Sequence, residues 1–280
     1  MKKNDKFNSF FKLHSENVDN ANNQGFWKLS DEIVKNYLLE IITARDGVTI
    51  VDFGGGTGRW AKILDDYLKN SHIVIVDLSK DMLSVANEKI EKKSYKNKVS
   101  LINADIANVE ELKDNYADYI ISTYNPLSFV DQPQSVIDEA FRIVKQGGAV
   151  AITTQAYYNA LFSKIFNYQA SVKELRSIQK THKLTWNDFV PATWQLSQQE
   201  MESMFKKAGF CDIESRGIAC LTQPQDEDWD QSNIQIGKLS NKLNTDEDFF
   251  NTVLDLELTT GRDQKAVNRG MNIMTIGRKK

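Results

Sequence analysis

Residues 51–58 read Val-Asp-Phe-Gly-Gly-Gly-Thr-Gly, and no other stretch restricts the possible folds as much. Glycine fills four of the five positions 54–58, directly after an apolar, β-branched run at 48–53 broken only by Asp52. Such a run fits a strand buried on both faces, as in a parallel sheet covered by helices. The glycines let the backbone turn sharply and let a ligand approach where a Cβ atom would otherwise stand. In an open α/β sheet, ligands bind at the carboxyl ends of the strands.

The flanking sequence supplies the layers. Trp60, Ile63, Leu64, Tyr67 and Leu68 follow the turn at helical spacing. Further strands are expected at 73–76, 99–103, 117–123 and 149–154, with helices between them. Ser79 caps one helix, and Val136, Ile137, Ala140, Phe141 and Val144 stripe another that should stop at Gly147 and Gly148. Upstream, Ser30 reads as the N-cap of a helix carrying Ile33, Val34, Tyr37, Leu38, Ile41 and Ile42. After residue 156 the rhythm breaks into an aromatic-rich, partly helical stretch at 157–195. It resumes with Ser197 as a cap, Gly209 as a stop, a strand at 211–221, a helix near 245–259 and a last strand at 272–277. The expected fold is α/β, a doubly wound, mostly parallel seven-stranded sheet with a helical lid insertion. A single domain over 1–280 divides into an N-terminal helical cap (1–44), a cofactor-binding core (45–156), the insertion (157–195) and the C-terminal part of the sheet (196–280).

Three ligands compete for the glycine turn. A dinucleotide site wants G-x-G-x-x-G/A, but counting from Gly54 and Gly56 the third position is Arg59. A P-loop needs Gly-Lys-Ser/Thr, and that lysine is missing. The pattern apolar-apolar-Asp-x-Gly-x-Gly-x-Gly instead resembles motif I of the class I S-adenosylmethionine (SAM)-dependent methyltransferases. The resemblance implies that Asp52 orients the methionine end of SAM, with Phe53, Gly54, Gly56, Thr57 and Gly58 lining the cofactor. It implies that Asp77, 19 residues past Gly58, takes the ribose hydroxyls, with Leu78 and Met82 beside it. Asp105 and Ile106 would meet the adenine, and Thr123 the methionine side. S-adenosyl-L-homocysteine would be the product.

The acceptor is not legible. The fourth strand runs into Tyr124-Asn125-Pro126-Leu127-Ser128-Phe129, a partial match to the Asn-Pro-Pro-aromatic loop of amino-group methyltransferases. Tyr124 and Asn125 are therefore candidate catalytic residues. Of the three histidines, His72 precedes a strand far from the expected site and reads as solvated, and His14 has no assigned role. His182, in the insertion, is the candidate base. Transfer from a sulfonium needs alignment and exclusion of water more than an obligatory base. The insertion's aromatics, among them Tyr157, Phe162, Phe166, Trp186 and Trp194, fit a lid over an apolar acceptor, and Phe26 and Trp27 a second lid.

Composition narrows the partners. A net charge of −3 argues against a protein that wraps nucleic acid, since phosphate neutralisation calls for a basic excess. Lys89, Lys92, Lys93, Lys96 and Lys98 alternate with Glu and Asn and read as solvated. Cys211 and Cys220 are the only cysteines, no metal-ligand spacing stands out, and a reducing compartment fits. No apolar run reaches the ~18 residues of a membrane span, and residues 1–5 lack a signal peptide's apolar stretch. The expectation is a cytoplasmic SAM-dependent methyltransferase acting on O or N of a small-molecule acceptor, without membrane contact and with the oligomeric state open. A protein or RNA acceptor, or a non-catalytic SAM-binding protein, are the alternatives.

Overall fold

The computed structural model describes residues 9–13, 15, 18–92, 95–229 and 235–280. The readings on residues 1–5, His14 and Lys93 fall outside them.

In chain order the elements are α1 (Gly25–Ile41), β1 (Thr49–Phe53), α2 (Arg59–Asp65), β2 (His72–Asp77), α3 (Lys80–Glu91), β3 (Lys98–Asn103) and β4 (Ala117–Ser122). Then come α4 (Pro126–Phe129), α5 (Pro133–Ile143), β5 (Val144–Gln155), α6 (Tyr157–Phe166), α7 (Val172–Thr181), β6 (Lys183–Leu184) and β7 (Thr193–Trp194). The chain closes with α8 (Gln198–Ala208), β8 (Cys211–Ile218), α9 (Lys238–Thr245), α10 (Glu247–Arg262) and β9 (Asn272–Arg278). Seven strands form one sheet in the order β3-β2-β1-β4-β5-β9-β8, with β9 antiparallel to both of its neighbours. β6 and β7 form a separate two-stranded antiparallel pair.

Strand alternation builds two cores. Ile50, Ile73 and Ile75 pack on one face with Phe26, Leu29, Trp60 and Leu64. Val51, Phe53, Val74 and Val76 pack on the other with Val136, Ile137, Met201 and Phe205. Apolar side chains at both parities make the central strands near-continuous apolar runs, with Asp52 the exception in β1.

Two expected boundaries are corrected. Ser30 does not cap a helix: it lies inside α1, 1 % exposed, because Phe26 and Leu29 extend the apolar face a turn and more upstream. Gly147 and Gly148 do not stop a helix either. α5 ends at Ile143, and β5 already includes Val144 and both glycines. There the Gly147 N–H donates to the Lys279 carbonyl at 2.7 Å, and the Lys279 N–H donates to the Gly148 carbonyl at 3.1 Å, so pairing with the chain's end outcompetes a cap. The helix expected near 245–259 runs from Glu247 to Arg262, with α9 ahead of it. Ser79, Ser197 and Gly209 hold their expected places, Ser197 in a full capping box with Glu200.

Candidate active site

The parallel register Phe53↔Val76 carries the glycine turn over the end of β2. Gly54 N–H donates to the Val76 carbonyl at 2.7 Å, and Gly54, Gly56 and Gly58 take φ of +69°, +54° and +74°. Only glycine holds that left-handed region without strain at three alternate positions. Asp77 then clamps the turn: its Oδ2 accepts from Gly56 N–H at 2.9 Å and its Oδ1 from Ser79 N–H at 2.7 Å. Burial pushes the Asp77 carboxyl above its usual range, while the two amides pull against that shift. A Cβ at Gly56 would stand 3.6 Å from Met82 Sδ and 3.9 Å from Asp77 Oδ2, so both side chains face the bare backbone.

Asp52 shares the strand face of Ile50 and lies under the turn, where a Cβ on Gly55 would come within 2.6 Å of its Oδ2. It is fully buried, and neither oxygen has a hydrogen-bond partner among the described residues. Burial first, and the Asp77 carboxylate second, push its pKa up to about 7. A carboxyl in that position keeps its proton or waits for a cation.

The N-terminal segment closes this end. Thr57 Oγ1 donates to Asp19 Oδ1 at 3.0 Å, and Lys89 pairs with Asp19 at 2.6 Å. Asp31 of α1 receives the Arg59 guanidinium, with Nη1 to Oδ1 at 2.8 Å, and also the Tyr124 hydroxyl. The Tyr124 hydroxyl also reaches Ser30 Oγ at 3.2 Å, and burial followed by the Asp31 charge drives its pKa well up. Trp27 packs edge-on against Tyr124 and Trp229. Asp19, Asp31 and Arg59, which border the turn, carried no site role in the sequence reading. Asp31 follows the expected cap Ser30 in the chain, and nothing in the spacing ties it to Arg59.

Across the turn stands the loop after β4. Tyr124 and Asn125 are both left-handed, at φ +56° and +71°, and Pro126 touches Gly54, where a Cβ would lie 2.4 Å from its ring. Two consecutive non-glycine residues in that region are costly and persist where surroundings hold them. Here Asn125 N–H donates to Thr153 Oγ1 at 3.0 Å, and its Nδ2 donates to Asn272 Oδ1 at 2.9 Å. The Asn125 Oδ1 is buried and has no partner among the described residues. Behind it, Ser128 Oγ accepts from Gln155 N–H at 3.2 Å, and Gln155 Oε1 accepts from Trp186, Thr193 and Gln195. That network ties the insertion to the carboxyl end of β5.

The other candidates are scattered more widely. Phe53 is buried, Thr123 and Ile106 nearly so, and Leu78 is 52 % exposed beside Asp77. Asp105 is exposed, two residues beyond β3, and its Oδ1 accepts from Ala107 N–H at 2.9 Å, closing a turn. His182 caps α7 at φ +53°, stacks on Tyr157 at 4.4 Å and meets Glu200 through Nδ1 at 2.7 Å. No contact ties it to Tyr124 or Asn125 among the described residues. His72 is not solvated as expected: its Nε2 lies 2.8 Å from Ser100 Oγ, and burial lowers its pKa.

Comparison with known proteins follows the same lines. The family described as "Methyltransferase domain" matches residues 50–148. The chain is 24 % identical over 212 residues to a rice (Oryza sativa subsp. japonica) chloroplastic 2-methyl-6-phytyl-1,4-hydroquinone methyltransferase, covering 75 % of this chain and 54 % of that one. The chain thus spans about half the length of that relative. It is 26 % identical over 193 residues to the ubiquinone/menaquinone biosynthesis C-methyltransferase of Vibrio campbellii, covering 63 % and 69 %. The solved phosphoethanolamine N-methyltransferase 2 of Haemonchus contortus, in complex with SAM, shares the fold with a TM-score of 0.55 at 18 % identity, covering 89 % of this chain and 52 % of that one.

Proposed function

We propose that this chain is a class I SAM-dependent methyltransferase that moves the methyl group of SAM onto a small-molecule acceptor, a reading supported by the methyltransferase-domain match over residues 50–148. The observation that carries this reading is the Asp52 carboxyl, buried under a glycine turn with neither oxygen partnered among the described residues. An ammonium or sulfonium brought to the turn supplies the positive charge such a group calls for. Asp77 keeps lone pairs for a pair of ribose hydroxyls after accepting its two amides. Gly56 offers a backbone with no side chain in the way. The residues present fit the cofactor.

When bound, SAM supplies a methyl group on an activated sulfonium. The chain's own contribution is alignment and dryness. Asp52, Asp77 and the turn hold one reactant. The strained Asn125, fixed by Thr153 and Asn272, keeps a buried Oδ1 that is unpartnered among the described residues and can accept from an N–H or O–H of the other. The 157–195 insertion and Trp27 shield the mouth. Tyr124, held by Asp31, acts by positioning. His182, held by Glu200 and Tyr157, remains the candidate base only if the acceptor reaches the insertion.

An acceptor oxygen or nitrogen suits the free Asn125 Oδ1. A carbon acceptor is the second reading, favoured because the Vibrio relative is a C-methyltransferase and the rice relative acts on a hydroquinone. Isothermal titration with SAM and with NAD tests the cofactor: tight NAD binding with no SAM heat overturns the proposal. Incubation of a metabolite extract with methyl-labelled SAM then tests the acceptor class, and the label's carbon chemical shift separates O-, N- and C-methyl products. Label found only on macromolecules would refute the small-molecule reading.

A further inference from the structure

We infer that the 157–195 insertion docks on an anionic lipid bilayer, through the outer face of α6 with the basic side chains of α7. The ten-residue α6 is apolar on two faces. Tyr157 and Ala160 pack inward with Ile178 and Leu184. Tyr158, Phe162, Ile165 and Phe166, at i, i+4, i+7 and i+8, face outward with 53–70 % of their surface exposed. The Phe162 and Phe166 rings stack at 5.4 Å and 10°, so they form one surface. Phe189, between β6 and β7, is 82 % exposed. Isolated exposed apolar side chains are ordinary, but a contiguous stripe marks an interaction surface.

Charge identifies the occupant. Residues 157–195 hold five Lys/Arg against two Asp/Glu, a surplus of three positive charges in a chain of net charge −3. Lys164 is buried and paired with Glu174, but Lys173, Arg176 and Lys180 recur along one side of α7 and are exposed. An exposed aromatic stripe and a row of exposed basic side chains in one insertion, within a chain that is acidic outside it, suit an anionic lipid surface. A second copy of the chain would instead bring two positive insertions together. At about 15 Å, α6 lies on a bilayer and cannot cross it. Among the described residues no helix is long and apolar enough to span a membrane. The expectation of no membrane contact rested on the lack of a spanning segment, and a peripheral surface is a different matter. Because Gln155 links the insertion to the carboxyl end of β5, docking would bring that end of the sheet towards the lipid surface.

Flotation of the full chain with phosphatidylcholine vesicles, with and without phosphatidylglycerol, tests this. Binding is expected only to the anionic vesicles and is expected to weaken with salt. Phe162→Ser with Phe166→Ser, and separately Lys173→Glu with Arg176→Glu and Lys180→Glu, should each lower the partition coefficient by roughly 10- to 100-fold. Circular dichroism and thermal unfolding should stay unchanged, since all five side chains are exposed. The inference is overturned by no binding to anionic vesicles, or by binding that both variants keep. It is equally overturned by a wild-type dimer that the aromatic variant makes monomeric, which would assign the stripe to self-association. No cofactor or acceptor enters the measurement, so its failure leaves the methyl-transfer reading untouched.

Discussion

Asp52 couples the site to stability and pH. Its folded pKa is raised from 3.8 to about 7 by burial and by Asp77. Between those values the unfolded chain gives up a proton that the folded chain keeps. Stability therefore falls as pH rises through that window, and the full penalty stands above it. Asp52→Asn should flatten that slope and stabilise the ligand-free protein near about pH 8 by roughly 2–4 kcal/mol, read as a higher melting temperature in calorimetry across the window. The same variant should bind SAM more weakly. In the wild type near neutral pH, a cationic ligand over Asp52 should expel its proton. Titration in two buffers of different ionisation enthalpy would then give different heats, and identical heats would refute the coupling. Asp77→Ala removes the clamp on Gly56 and should raise the SAM dissociation constant by about 10- to 100-fold, the worth of one or two charge-assisted hydrogen bonds.

The elements differ in how they are tied down. α8 starts with a capping box in which Ser197 Oγ and Glu200 satisfy each other's backbone N–H groups, and Glu200 also meets His182. Ser197→Ala should cost about 1 kcal/mol in denaturant unfolding, and Ser197→Asp should restore most of it. The insertion has only the small cluster around Tyr157, Ala160, Ile178 and Leu184, and it leans on the sheet through Gln155. Trp186→Phe cuts the 3.1 Å indole bond to Gln155 while keeping the ring. Proteolysis within 157–195 should quicken in that variant while SAM affinity holds. A matching loss of SAM affinity would mean that the insertion helps build the cofactor site.

At the scale of the whole molecule, a ligand that binds only the folded chain stabilises all of it. SAM at about 100 times its dissociation constant adds ~2.7 kcal/mol, which for a chain of this size raises the melting temperature by about 5–10 °C. NAD at the same concentration should leave the transition in place. Differential scanning fluorimetry decides between them, and it needs no acceptor.

The strands, the glycine turn and the acids at 52 and 77 were legible before any coordinates, because each is a local demand. A strand buried on both faces favours an apolar run, and a left-handed turn at its end favours glycine. Helix starts were less legible: Ser30 is a good capping residue, yet packing of Phe26 and Leu29 drew α1 upstream over it. What no spacing could reveal were the contacts that close the site from far along the chain. The Asp31–Arg59–Tyr124 cluster, the Asn125–Asn272 pair and the Thr57–Asp19 contact each join segments with no common periodicity. Periodicity reports which way a side chain faces, whereas only the crossover order of the sheet brings residue 272 beside residue 125.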